Sequence, residues 1–174
     1  SFEERAMLAA ACGISIPAEG EGIAPLVAIE LKALDLETFQ PLEAIHQGEE
    51  FILAATVEDL RPIPAGVCGA YLDLLYPSDV FNTTGDGGEA VLIFGKRFGN
   101  GKSGVATPGM VDELGNFAAG ATRTGGGEQV LAGLRLVATR TGEVHFTSNA
   151  AEETPEHDTL LFDSDTPVPS SLVT

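Results

Sequence analysis

From Val27 onward the chain alternates apolar and polar residues. Val27, Ile29, Leu31 and Ala33 fall on one side of an extended segment, with Glu30 and Lys32 on the other. This is the period of two that a half-buried strand requires. The same period recurs in Glu50 to Glu58, where Phe51, Leu53, Ala55 and Val57 share a face. In Val67 to Tyr76, Cys68, Ala70, Leu72 and Leu74 point inward and Tyr71 and Asp73 outward. Gln129 to Thr139 predicts a strand with Val130, Ala132, Leu134, Leu136 and Ala138 inward and Arg135 outward. Glu143 to Ser148 predicts a shorter one, with Val144 and Phe146 inward and His145 outward. Ala90 to Phe94 is a continuous apolar run, the pattern of a central strand covered on both faces. Met110 to Ala119 is weaker and interrupted by Gly115, while Thr159 to Phe162 and Val168 to Val173 read as proline-flanked edge strands. Turns follow from Pro62 and Pro64, from Pro77-Ser78-Asp79 and from Thr141-Gly142. The pattern predicts an all-β chain, a two-sheet antiparallel β-sandwich of jelly-roll type over residues 27–174.

Residues 1–26 have a different texture. Ser1-Phe2-Glu3-Glu4 has the form of a capping box and Arg5 to Ala11 are mostly good helix formers, so a short helix is expected there. Gly13, Pro17, Gly20, Gly22 and Pro25 then break the chain into an extended tether. The segment is read as an N-terminal arm that packs on its own domain or on a neighbour. Phe2, Met7, Leu8, Ile14 and Ile16 are its candidate assembly contacts.

Composition narrows the function more than the fold. Nine Lys and Arg against 26 Asp and Glu leave a formal charge of −17. That excess repels polyanions and excludes nucleic acid as a partner. It also disfavours an anionic membrane surface. The longest apolar stretch, Ala6 to Ile16, falls short of the ~20 residues of a membrane span. Cys12 and Cys68 are too few for a disulfide scaffold, but they form one candidate bridge in an oxidising compartment.

Two nucleotide motifs fail on local structure. Gly99-Asn100-Gly101-Lys102-Ser103-Gly104 matches Gly-x-Gly-x-x-Gly, and Gly101-Lys102-Ser103 resembles the end of a phosphate-binding loop. Both motifs need a helix to begin there, and Val105-Ala106-Thr107-Pro108-Gly109 cannot supply one. The stretch is read as a glycine-rich loop. His46, His145 and His157 show no spacing to one another that would make a zinc site, and no Gly-x-Ser-x-Gly elbow supports a nucleophile. No catalytic residue is assigned.

Acidic loops carry more chemistry. Asp86 and Glu89 flank a Gly-Gly turn, and Glu153, Asp158 and Asp163 lie in a late stretch with no Lys or Arg after Arg140. These five are the candidate ligands for calcium, a hard cation that takes carboxylate oxygens. Asn82-Thr83-Thr84 matches a glycosylation acceptor. With no Trp and two Tyr, stacking platforms for a polysaccharide are scarce, so carbohydrate binding stands as an alternative without support from aromatic content.

The strand cadence resembles a family. Gly48-Glu49-Glu50-Phe51 through Glu58, then Gly66-Val67-Cys68-Gly69-Ala70-Tyr71-Leu72-Asp73-Leu74-Leu75-Tyr76-Pro77, and later Gly127 through Phe146, are similar to the strands of cohesin-like domains. The match lacks the Asp that this family places between Tyr and Pro. Phe2-Glu3-Glu4-Arg5-Ala6-Met7-Leu8-Ala9-Ala10 resembles the LExRxLL-type motif near the N-terminus of secreted and surface proteins of planctomycete bacteria. The tail Asp158 to Phe162 with Asp165 to Pro169 is similar to the cohesin-like modules of those proteins. The resemblance implies an exported, cell-surface, non-catalytic module that binds another protein. The partner would be a calcium-loaded dockerin-like protein, or copies of the chain itself in a homo-oligomeric filament built through the arm.

Overall fold

The computed structural model describes residues 23–118 and 123–174. The assembly-arm residues Phe2, Met7, Leu8, Ile14 and Ile16, and Cys12 of the candidate disulfide, lie outside the described residues. Ten strands occur among the described residues: β1 (Val27–Asp35), β2 (Glu50–Asp59), β3 (Val67–Leu75), β4 (Phe81–Thr83), β5 (Val91–Phe94), β6 (Asn100–Thr107), β7 (Met110–Phe117), β8 (Gln129–Ala138), β9 (Thr147–Ala150) and β10 (Leu160–Leu161). Helical structure among these residues is confined to two three-residue 3-10 turns, Asp86–Gly88 and Ser170–Leu172.

The strands form two sheets, antiparallel throughout. The first runs β1-β2-β8-β4, with β5 also on β8. The second runs β10-β3-β7-β6, with β9 also on β3. Between them lies the core. Phe51, Leu53, Ala55 and Val57 of β2 and Leu131, Ala132, Leu134 and Leu136 of β8 face Ala70, Leu72 and Leu74 of β3 and Val111 and Leu114 of β7. Each fully buried Leu or Phe here contributes about 1.5–3 kcal/mol of transfer free energy. Phe51, Phe81 and Phe146 close one end, with ring centroids 5.4 Å apart for the first pair and 5.3 Å for the second.

A buried ion pair fixes the turn from β2 to β3. Asp59 accepts hydrogen bonds from the Arg61 guanidinium (2.7 and 2.9 Å) and from the backbone N–H groups of Arg61, Ala65 and Gly66. Burial alone would push its carboxyl up, but Arg61 and the Gly66 N–H outweigh it and hold it below its ordinary range.

Several expectations change. The glycine-rich loop at 99–104 is largely strand β6, because the free edge of β7 takes a hydrogen-bonded neighbour there. Two register shifts, with Gly101 and Gly104 at positive φ (56° and 152°), let a sequence unlike a strand follow it. Ala90 to Phe94 is not a central strand: β5 pairs only with β8, and its four residues are half-buried. Val130 leaves the inner face, because a register shift opposite Ala55 and Thr56 turns Leu131 and Ala132 inward together. Val168 to Val173 forms a 3-10 turn ending in a parallel bridge from Val173 to Val27. His145 lies in an irregular segment before β9, although Val144 and Phe146 pack against the core as expected.

Candidate binding face and a carboxylate–imidazole cluster

The functional geometry gathers on the outer face of the second sheet. Here Leu72 of β3 pairs with Leu114 of β7, but Leu74 pairs with Val111, so β7 carries one extra residue. This bulge keeps both Val111 and Leu114 inward and places Asp112 and Glu113 outside. Glu113 takes a left-handed backbone conformation, φ 53°, which costs of order 1 kcal/mol for a non-glycine residue. Its N–H donates to Asp73 Oδ1 at 3.0 Å. A buried donor left unpaired by the bulge is thereby satisfied. Asp73 is itself buried, and its carboxyl is pushed up first by desolvation and further by the neighbouring carboxylates Asp112 and Glu113.

The Glu113 side chain is only 6% exposed. Its Oε1 accepts the backbone N–H groups of Glu152 (2.6 Å) and Glu153 (3.0 Å). Its Oε2 lies 2.5 Å from His157 Nδ1. Burial would raise the carboxyl, yet these N–H groups and the imidazole together hold it below its ordinary range. Residues 151–158 are thus tied down across the outer face of the sheet. The tie is local as well. His157 N–H donates to the Glu153 carbonyl at 2.8 Å, closing a turn that brings the two side chains together, with Nδ1 to Glu153 Oε2 at 3.5 Å. The His157 ring stacks on Tyr71, centroids 4.1 Å apart and planes 19° apart, while the Tyr71 hydroxyl donates to the Gly101 carbonyl at 2.7 Å.

Glu113, Glu153 and His157 are the one group among the described residues whose donor atoms converge as metal ligands must, all within 4.8 Å of one another. Of the five residues expected to bind calcium, Glu153 belongs to it. Asp158 is half-buried and lines an adjacent groove of about 490 Å³, walled by Ile29, Tyr71, Asn149, His157 and Pro169 among others. Asp163 pairs with Arg123 at 2.9 Å, so the carboxylates after Arg140 are not all left without a cation. Asp86 and Glu89 are exposed at the turn between β4 and β5, apart from this cluster. Cys68 is half-buried, and desolvation pushes its thiol up.

Glu113 was not visible in the sequence, because nothing in Met110 to Phe117 marks the bulge that aims it outward. A usable signal lies in the nearness of Glu153 and His157, four residues apart across the Thr154-Pro155 turn.

Beyond the cluster, Gly69 and Gly115 are buried and the rings of Phe117 and Tyr71 lie over Gly101, so the strands here leave room for those rings. Phe117 and Val105 themselves stand exposed at 41% and 62%. β3, β7, β9, β10 and residues 151–158 contain no Lys or Arg.

No protein-family model matches the chain, and no curated protein matches it. Among solved structures it is similar to a chain of the CaDoc0917-CaCohA2 complex crystallised at pH 5.5, a cohesin-dockerin pair. That likeness has a TM-score of 0.50 at 12% identity and covers 82% of this chain and 92% of the other. The chain therefore folds as an all-β, two-sheet antiparallel sandwich of cohesin-like form.

Proposed function

We propose that this chain is an extracellular, non-catalytic module that binds a protein partner of the dockerin type through the outer face of its second sheet. The observation that carries the reading is a pair of exposed apolar side chains bordered by carboxylates on one face of a cohesin-like sandwich. Phe117 and Val105 offer the apolar contacts, side by side on β7 and β6. Asp112 beside Val105 and the exposed Glu152 and Glu153 of the covering turn border them with negative charge, so the complementary partner surface is basic. Calcium enters this reading on the partner, whose loaded form the module would capture.

The test is capture of dockerin-type partners from solution, with and without chelator. Capture by the wild type should be lost with chelator and weakened by at least about 2 kcal/mol in Phe117→Asp, with Glu50→Gln on the opposite sheet unaffected. Absence of capture under either condition would sink the proposal.

A further inference from the structure

We infer that Glu113, Glu153 and His157 form a site for a divalent transition-metal ion of the zinc class, which clasps residues 151–158 onto the second sheet. The site shares Glu153 with the acidic border of the partner-binding reading, and its argument does not depend on that reading. Three features of the geometry carry it.

First, the donor set is mixed. Two carboxylate oxygens and one imidazole nitrogen suit a first-row divalent ion, whereas calcium takes oxygen ligands only. Second, the donors converge. Zinc bonds of 2.0–2.2 Å place tetrahedral ligands about 3.4 Å apart. His157 Nδ1 and Glu153 Oε2 already stand at 3.5 Å. Nδ1 and Glu113 Oε2, at 2.5 Å, are at the distance of a shared proton. A metal ion replacing that proton needs this pair to open by about 1 Å, and the Glu113 and Glu153 oxygens already lie within 4.8 Å of each other. The fourth position is left for water.

Third, the surroundings orient and require a cation. Glu113 is held at its other oxygen by the N–H groups of Glu152 and Glu153, and the imidazole plane is set by Tyr71. Such supports fix ligand direction in built metal sites. Asp73 and Asp112 add negative charge beneath, and Glu152, Glu156 and Asp158 add it along the turn. Neither the turn nor the strands under it supply a Lys or Arg. Among the described residues of the turn and of the strands under it, His157 is the one side chain that can carry positive charge, and a divalent ion relieves more repulsion than a single proton does.

Calorimetric titration of the chelator-treated 174-residue chain with Zn²⁺, together with the visible spectrum of the Co²⁺ form, tests the inference. One equivalent should bind with a dissociation constant on the order of micromolar or tighter. Millimolar Ca²⁺ should not compete. His157→Gln and Glu153→Gln should each weaken binding at least about tenfold. Glu153 has an exposed side chain, so its substitution leaves the fold intact and keeps the test decisive if the His157 variant is unstable. Absence of saturable binding overturns the inference. So does affinity unchanged in Glu153→Gln, or a thiolate charge-transfer band in the Co²⁺ spectrum, which would place the metal on cysteine.

Discussion

The two outer faces of the sandwich solve the same problem in opposite ways. On the first sheet, Leu34, Ile52 and Ala54 form a second small core, packed by Leu36, Ile93 and Val130. The charges on its polar border are paired: Lys32 pairs with Glu30 at 3.0 Å and with Glu128, and Arg135 pairs with Glu50. Glu128 also accepts from the Thr56 hydroxyl at 2.5 Å. On the second sheet the cover is a polar turn, held by a buried carboxylate, with carboxylates in excess around it. An apolar cover with paired charges closes a face. A polar clasp over unbalanced charge leaves one able to take a cation or a basic partner.

The largest effect should come from cutting the clasp. Glu113→Ala removes the acceptor for two backbone N–H groups and leaves His157 without its buried partner. The expected loss is about 3 kcal/mol in urea-unfolding stability, because buried donors are left unsatisfied. Hydrogen exchange at Glu152 and Glu153 should accelerate in the same variant. A loss under about 1 kcal/mol would mean that the turn is held by the Tyr71 stack and the β9 ladder instead.

Next come two glycines that occupy matching places on the two faces. A Cβ at Gly115 would lie 2.1 Å from the Ala70 carbonyl oxygen and 2.7 Å from Tyr71 Cα, both backbone atoms. At Gly133 it would lie 2.7 Å from the Leu53 carbonyl oxygen, 2.9 Å from Ile52 Cγ2 and 3.0 Å from Ala54 Cα, a tight but less severe overlap. Gly115→Ala should therefore cost about 2–3 kcal/mol and Gly133→Ala about 1 kcal/mol in thermal or chemical unfolding. Equal costs would remove the distinction between a face whose strands approach too closely for any side chain and one that a small shift opens to a methyl group.

How far the sequence reveals each face follows from the same difference. Alternation exposes strands wherever one side is buried and the other wet, so β1, β2, β3 and β8 are legible from apolar spacing alone. The apolar cover of the first sheet is partly legible too, although Val130 joins it only through a register shift that periodicity cannot announce. β6 is hidden because its strand is imposed by the edge of β7 and accommodated by glycines, against local preference. The cluster is hidden for a similar reason. Glu153 and His157 are near in sequence, but Glu113 reaches them through a bulge from 40 positions before Glu153. Acidic composition flagged Glu153, Asp158 and Asp163 alike, and only pairing in space separates them. Arg123 occupies Asp163, Asp158 turns to the groove, and Glu153 faces the imidazole.

The smallest effect should come from the paired charges of the first sheet. Arg135 donates from both Nε and Nη2 to one oxygen of Glu50, but both side chains remain about two-fifths exposed. Water screens such a pair, and ordering two long side chains offsets much of the attraction. Arg135→Ala should cost about 0.5 kcal/mol at low ionic strength, and the difference from wild type should shrink further in ~1 M salt, where the screening length falls to about 3 Å. Glu113→Ala should keep most of its cost in the same salt, because desolvation of unpaired N–H groups is not an ionic term. A salt response of equal size in the two variants would place both faces in one electrostatic regime, and the contrast between a closed and a receptive face would fail.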